Sequence, residues 1–328
     1  MKFLMKLFSL LLAGLFPFWL CAQLPNVGLV VDLNSGTNSG GASNFMKLGS
    51  TMIYSASDGS TGVELWKTDG TAAGTVFIKD IRPGTSSSGI GNMRLMGSFV
   101  YFTANDGTNG GALWRTDGTT AGTTMVKDLN ASTNSSSNIT ELTVVGNRLY
   151  FRGDDGVNGT EPWISDGSTN GTVMLKNIAP GSGSSSGFNC ISCFGTYEFV
   201  EFGGFVYFNA NDLSNSGQQN SELWRTDGTT GGTVLFKDNY SLAGGGPANL
   251  VNAGSFLFFT SDNQGNTGSE PWKTDGTVGG TVMIKDVFNP GFNQGSILGD
   301  VPTIYMNGFV YFVAVDSYVP GNFNLNPP

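Results

Sequence analysis

The sequence predicts an all-β fold, a β-propeller of four-stranded blades, about six in number. One string recurs five times: ELWKTDGTAAGTVFIKD from Glu64, ALWRTDGTTAGTTMVKD from Ala112, EPWISDGSTNGTVMLKN from Glu161, ELWRTDGTTGGTVLFKD from Glu222 and EPWKTDGTVGGTVMIKD from Glu270. Its tryptophans at 66, 114, 163, 224 and 272 are 48, 49, 61 and 48 residues apart. That period is too long for one hairpin and too short for a domain, as in propellers and solenoid arrays. Within each period, strand patterns alternate with Gly/Asn/Asp turn chemistry, and helical periodicity is absent after the N-terminal segment.

The second copy shows the elements in order. NMRLMG (92–97) reads as a short strand ending in a turn, and FVYFTAND (99–106) as a second, rich in aromatic and β-branched residues. ALWRT (112–116) is the third strand and TTMVKDL (123–129) the fourth, with DGTTAG turning the chain between them. Four antiparallel strands per 40–50 residues is the propeller count. The repeat cores are 45–80, 93–128, 141–177, 196–238 and 249–286, within one repeat domain over 23–328.

The ends suggest a sixth blade. GLVVDLNSG (28–36) looks like a fourth strand, and PTIYMNGFVYFVAVD (302–316) like a first and second. Residues 302–316 together with 28–33 would build a blade closed by both termini. A fragment of a longer array is the alternative.

In T-D-G-T-x-x-G-T the aspartates Asp69, Asp117, Asp166, Asp227 and Asp275 read as structural turn caps, with the following Gly supplying a positive φ. Counting outward from the turn sets Trp66 opposite Phe77 and Glu64 opposite Lys79, which predicts a cross-strand Glu–Lys pair in four of the repeats. Pro162 and Pro271, in place of Leu, call for a non-hydrogen-bonding or bulged position.

Residues 1–22 read as a secretory signal peptide: Lys2 and Lys6, then the apolar FSLLLAGLF, then Cys21 and Ala22 before a cut at Gln23. A lipidated Cys21 is a weaker alternative, since Trp19 and Leu20 are bulky there. The expected location is secreted, cell-surface or periplasmic. Removing Lys2 and Lys6 from 16 basic residues leaves 14 against 25 acidic ones, a net charge of −11. Such an acidic chain argues against nucleic acid and against anionic membrane, and no other run has the length for membrane insertion.

Histidine is absent, which removes Ser-His-Asp and Cys-His nucleophiles and His-containing zinc sites. Cys190 and Cys193 read as a small disulfide, with free thiols or a redox or metal role as alternatives. No organic cofactor is expected. Calcium is a candidate, at loops running from Asp58 to Glu64, Asp155 to Glu161 and Asp262 to Glu270, though their spacing is not that of an EF-hand. The long 61-residue interval carries inserted residues around Phe188, Phe194 and Tyr197, the candidate ligand-binding rim.

The ELWKTDGT, ALWRTDGT and ELWRTDGT strings resemble the bacterial ELWxxDGT-repeat proteins, over nearly the whole chain after residue 22. The resemblance implies an exported, envelope-associated or secreted protein with propeller-like sheets. The DGT turns also look like the Asp-boxes of sialidase-type propellers, which are structural. We therefore expect a non-enzymatic binding or structural module, with a glycan or a protein as partner. The alternative is a carbohydrate-active enzyme, hydrolase or lyase, for which Glu141, Glu198, Glu201, Asp154 and Asp300 are the non-repeating carboxylates.

Overall fold

A computed structural model describes residues 29–35, 39–132, 135–180, 199–212, 221–238, 246–262, 269–285 and 303–313. Among these the regular structure is entirely strand, in five four-stranded antiparallel sheets and one two-stranded sheet. Sheet one is β1 (Ser43–Leu48), β2 (Thr51–Ser57), β3 (Val63–Thr68) and β4 (Val76–Lys79). Sheet two is β5 (Gly91–Met96), β6 (Phe99–Asn105), β7 (Gly111–Thr116) and β8 (Thr124–Lys127). Sheet three is β9 (Thr140–Val145), β10 (Arg148–Asp154), β11 (Thr160–Ser165) and β12 (Val173–Met174). Sheet four is β13 (Val200–Phe202), β14 (Phe205–Asn211), β15 (Ser221–Thr226) and β16 (Val234–Lys237). Sheet five is β17 (Ala248–Asn252), β18 (Leu257–Asp262), β19 (Ser269–Thr274) and β20 (Val282–Met283). A last hairpin joins β21 (Ile304–Met306) to β22 (Phe309–Tyr311).

Each sheet has the meander order of a propeller blade, and successive sheets stack face to face. Their first strands lie beside one another, β1 by β5, β5 by β9, β13 by β17 and β17 by β21. The aromatic second strands fill the layers between blades. Phe102 lies with Ile53, Leu65 and Trp114 between sheets one and two, and Phe151 with Leu113, Leu142 and Trp163 between two and three. Phe208 with Trp224, and Phe259 with Tyr207 and Trp272, continue the series. Burying each such ring contributes roughly 1.5–3 kcal/mol. Both faces of an inner blade are thus covered, which is why the second strands read as unbroken apolar runs.

The DGT turn is built the same way five times. Asp69 Oδ1 accepts the Thr71 N–H at 2.9 Å and its hydroxyl at 2.7 Å. The Thr71 Oγ1 in turn accepts the Gly74 N–H at 2.9 Å. Asp117, Asp166, Asp227 and Asp275 repeat the arrangement with Thr119, Ser168, Thr229 and Thr277. The second glycine is obligatory for a steric reason: a Cβ on Gly122 would lie 2.0 Å from Asp117 Oδ1.

The predicted Glu–Lys pairs do not form. Trp66 does face Phe77, but a bulge between Leu65 and Trp66 advances the register by one, so Lys79 faces Leu65. Glu64 is fully buried and its carboxylate accepts the Ile81 N–H at 2.8 Å, beyond the end of β4. Glu161 does the same for Ile178 and Ala179, at 2.9 and 3.0 Å. The lysines instead cross to the next blade. Lys79, Lys127 and Lys176 donate to the carbonyls of Thr123, Thr172 and Thr233 at 2.8–2.9 Å. On the way each passes about 6 Å from the centre of the next tryptophan ring.

Pro162 and Pro271 stand in the slot of Leu65, beside that bulge, where a missing N–H is tolerated. Their fourth strands shorten to two residues, and their tryptophans stack on Phe151 and Phe259. In these two blades the indole N–H donates to the carbonyls of Gly153 and Ser261, each at 3.0 Å.

Candidate functional site

The DGT turns occupy one end of every blade. The opposite end is made by the loops between second and third strands and by the connectors from one blade to the next. Those connectors are stitched in by backbone bonds. Ser88 N–H donates to Val63 C=O at 3.2 Å while its own C=O accepts the Asn105 N–H at 2.8 Å. Ser137 likewise bridges Gly111 and Asp154, at 2.9 and 2.7 Å.

A polar column marks this end of the first and second strands. Asn44 faces Ser55 at 3.1 Å, Asn92 faces Thr103 at 3.5 Å and Asn249 faces Thr260 at 3.3 Å. These asparagines all adopt a positive φ, between 52 and 55°, which Asn tolerates. Asn44 and Asn92 also reach across to the next blade, donating to the carbonyls of Ile90 and Ile139 at 2.8 and 3.3 Å.

Blade three departs from this pattern. Glu141, also at positive φ, holds the asparagine slot, and Arg152 holds the hydroxyl slot. Arg152 Nε donates to Glu141 Oε2 at 2.6 Å, with the arginine side chain 5% exposed. Its Nη2 reaches the Asn209 carbonyl of blade four at 2.7 Å, and Asn209 Nδ2 continues to the Pro247 carbonyl at 2.9 Å. A hydrogen-bonded amide–hydroxyl pair is thus replaced by a buried, fully bridged ion pair.

Beside this pair a cleft of about 600 Å³ opens between blades two and three. Its walls carry Ser88, Thr103 and Asn105 on one side and Ser136, Asn138 and Thr140 on the other. Among the described residues no charged and no aromatic side chain lines it. Thr140 sits opposite Arg152 in the sheet, and its Oγ1 is sealed from solvent without a hydrogen-bond partner.

The residues singled out from the sequence fall elsewhere. The turn aspartates lie at the other end, each well below the usual carboxylate range because of the neighbouring Thr or Ser hydroxyl and then its N–H. Asp58 and Glu64 serve different backbones. Asp58 Oδ1 accepts from Ser60 and Thr61 in its own loop, which lowers its pKa to about 2, whereas burial pushes Glu64 up. Asp155 is likewise taken by Val157 and Asn158, away from the Glu161 described above. The backbone of Asp262 ends β18, and Glu270 is buried in β19. Among the described residues no three His, Cys, Asp or Glu side chains are grouped to hold a metal ion.

Of the carboxylates considered for hydrolysis, Glu141 is engaged by Arg152, and Asp154 caps its loop through the Gly156 N–H at 2.7 Å. Glu201 Oε1 accepts the Gly204 N–H at 3.3 Å. Glu198, Asp300, Phe188, Phe194, Tyr197, Cys190 and Cys193 lie outside the described residues, as does the segment 1–28. Sequence reasoning missed the Glu141–Arg152 partnership and Thr140. Counting five and six residues back and six forward from each turn glycine (Gly49, Gly97, Gly146, Gly254) would have lined them up.

No family model matches the chain, and no curated protein matches it. Solved structures of similar shape include the computationally designed protein Ika8, at 13% identity and a TM-score of 0.41 over 84% of this chain and 68% of that one. A putative TolB from Agrobacterium tumefaciens matches at 13% identity and a TM-score of 0.37, over 76% of this chain and 82% of that one. Puromycin hydrolase matches at 14% and a TM-score of 0.43, over 78% of this chain but only 40% of the hydrolase. The expectation of a non-enzymatic protein is corrected by this last finding: a chain of similar shape is a hydrolase. At such identity no activity passes from it to this chain.

Proposed function

We propose that this chain is an exported β-propeller of about six blades, of the ELWxxDGT-repeat type. In this reading it acts as a binding or structural module at the cell surface or outside the cell. Its partner is a glycan or a protein, held at the connector end. The observation that carries the reading is the break in the repeat there: Glu141 and Arg152 stand where blades one, two and five pair Asn with Ser or Thr, beside a preformed cleft.

Two contacts support the sixth blade. Leu33 packs on Tyr54, Ala56 and Trp66 of blade one, as Ile81 packs on Ala104 and Trp114 of blade two. At the other end of the chain Phe312 stacks on Phe258 of blade five, with centroids 5.4 Å apart.

The test is saturable binding of the chain from Gln23 to polysaccharide and protein fractions of the cell envelope. A connector-end variant, Ser136→Arg, is expected to abolish it, and a turn-end variant, Ala72→Arg, to leave it intact. A folded wild-type chain that binds neither fraction would contradict the proposal.

A further inference from the structure

We propose that the cleft between blades two and three binds a neutral, hydroxyl-rich ligand: a sugar ring of an uncharged glycan, held edge-on. This rests on the binding-module reading and narrows it to one site and one ligand class.

Size comes first. A cleft of about 600 Å³ falls in the range of small-molecule sites, and is larger than one side chain of a protein partner would fill. Its charge balance comes next. The chain as a whole carries a net charge of −9, yet among the described residues the cleft presents no Asp, Glu, Lys or Arg. The ion pair beside it, Glu141 with Arg152, is matched charge for charge at 2.6 Å. A charged ligand would lose its hydration here without meeting an opposite charge, which disfavours uronates, sialylated glycans and phosphates.

The donors and acceptors are those that match hydroxyl groups. Ser, Thr and Asn side chains each both donate and accept, so one wall can serve either role of a sugar hydroxyl. Ser136 and Asn138, exposed on the wall, are the groups a ligand meets, while Thr140 Oγ1 is sealed behind them. Among the described lining residues no aromatic side chain offers a platform for the flat face of a sugar, so the ring is read through its edge. The wall is also preset. Asn138 holds a φ of 46°, with its N–H on Ser136 Oγ at 3.1 Å, leaving its side chain exposed beside the opening.

The experiment is an array of neutral and acidic glycans probed with the chain from Gln23, followed by calorimetric titration of any hit. We expect neutral glycans to bind and acidic ones not to. Asn138→Gly should weaken binding at least tenfold with little change in melting temperature, since it removes an exposed amide while keeping the positive φ. Asn138→Asp, which keeps the backbone preference and adds a charge, should weaken it by a similar factor and serves if the first variant folds poorly. Binding confined to acidic glycans would overturn the proposal. So would neutral binding that survives both variants but is lost in Tyr197→Ala, although the broader reading would then stand. Saturable binding of envelope protein with a blank array overturns the glycan cleft alone; a blank in both overturns the two together.

Discussion

The two ends of the blades are built on opposite plans. At the turn end, five copies of one hydrogen-bond pattern use the same residue types and nearly the same distances. At the connector end the backbone plan also repeats, but the side chains on it change from blade to blade. Asn–Ser in blade one and Asn–Thr in blades two and five contrast with Glu–Arg in blade three, while Asn209 holds the second slot in blade four. Repetition marks what every blade needs in order to fold. The residues that leave the repeat in blade three, Glu141 and Arg152, pair with each other beside the cleft.

The sharpest way to break this comparison is to remove the departure itself. Arg152→Ala strands Glu141 in a mostly buried setting and cuts the bridge to blade four. We predict a loss of about 3–5 kcal/mol by chemical denaturation. The corresponding Thr103→Ala in blade two should cost about 1 kcal/mol. Equal losses would mean that blade three is not special.

Next in size is the turn end. Gly122→Ala drives a methyl into the Asp117 carboxylate and should cost about 1–3 kcal/mol. Much of that loss should be recovered when Asp117→Ala is added, a coupling that a double-mutant cycle reads directly. Independent losses that simply add would contradict the contact.

Smaller still is the lysine that ties neighbouring blades. Lys127→Met loses its bond to the Thr172 carbonyl and its place near Trp163, and should cost about 1 kcal/mol. Had Lys127 been a surface cation without partners, the change would be neutral.

Acid separates the two kinds of carboxylate by sign. The turn aspartates have depressed pKa values, so their contribution is present above their ordinary value of 3.8 and is lost as pH falls through the lowered one. Asp117→Asn should therefore cost less at pH 2.5 than at pH 7. Glu64 behaves oppositely. Burial raises its pKa above 4.5, so its ionisation costs stability as pH rises past that value. Melting curves of Glu64→Gln should improve relative to wild type between pH 4 and 7. A constant difference would refute the sign.

Much of the fold could be read in the sequence because its causes are local. The strand alternation, the DGT turns and the facing of Trp66 and Phe77 all depend on residues within one hairpin. The Glu64–Lys79 pair failed because a single bulge, invisible in the pattern, flips every later side chain to the other face. The cleft was illegible for a different reason. Thr103 and Asn105 belong to blade two and Thr140 to blade three, and only stacking brings them together. Glu141 and Arg152 were visible as residues outside the repeat, but their pairing needed the register of β9 on β10.

Hydrogen exchange with and without a bound neutral glycan tests the central claim most directly. The account predicts slowed exchange along 86–89, 103–105 and 135–140, with no change at the turns 69–75 and 117–123. Protection confined to those turns would contradict it.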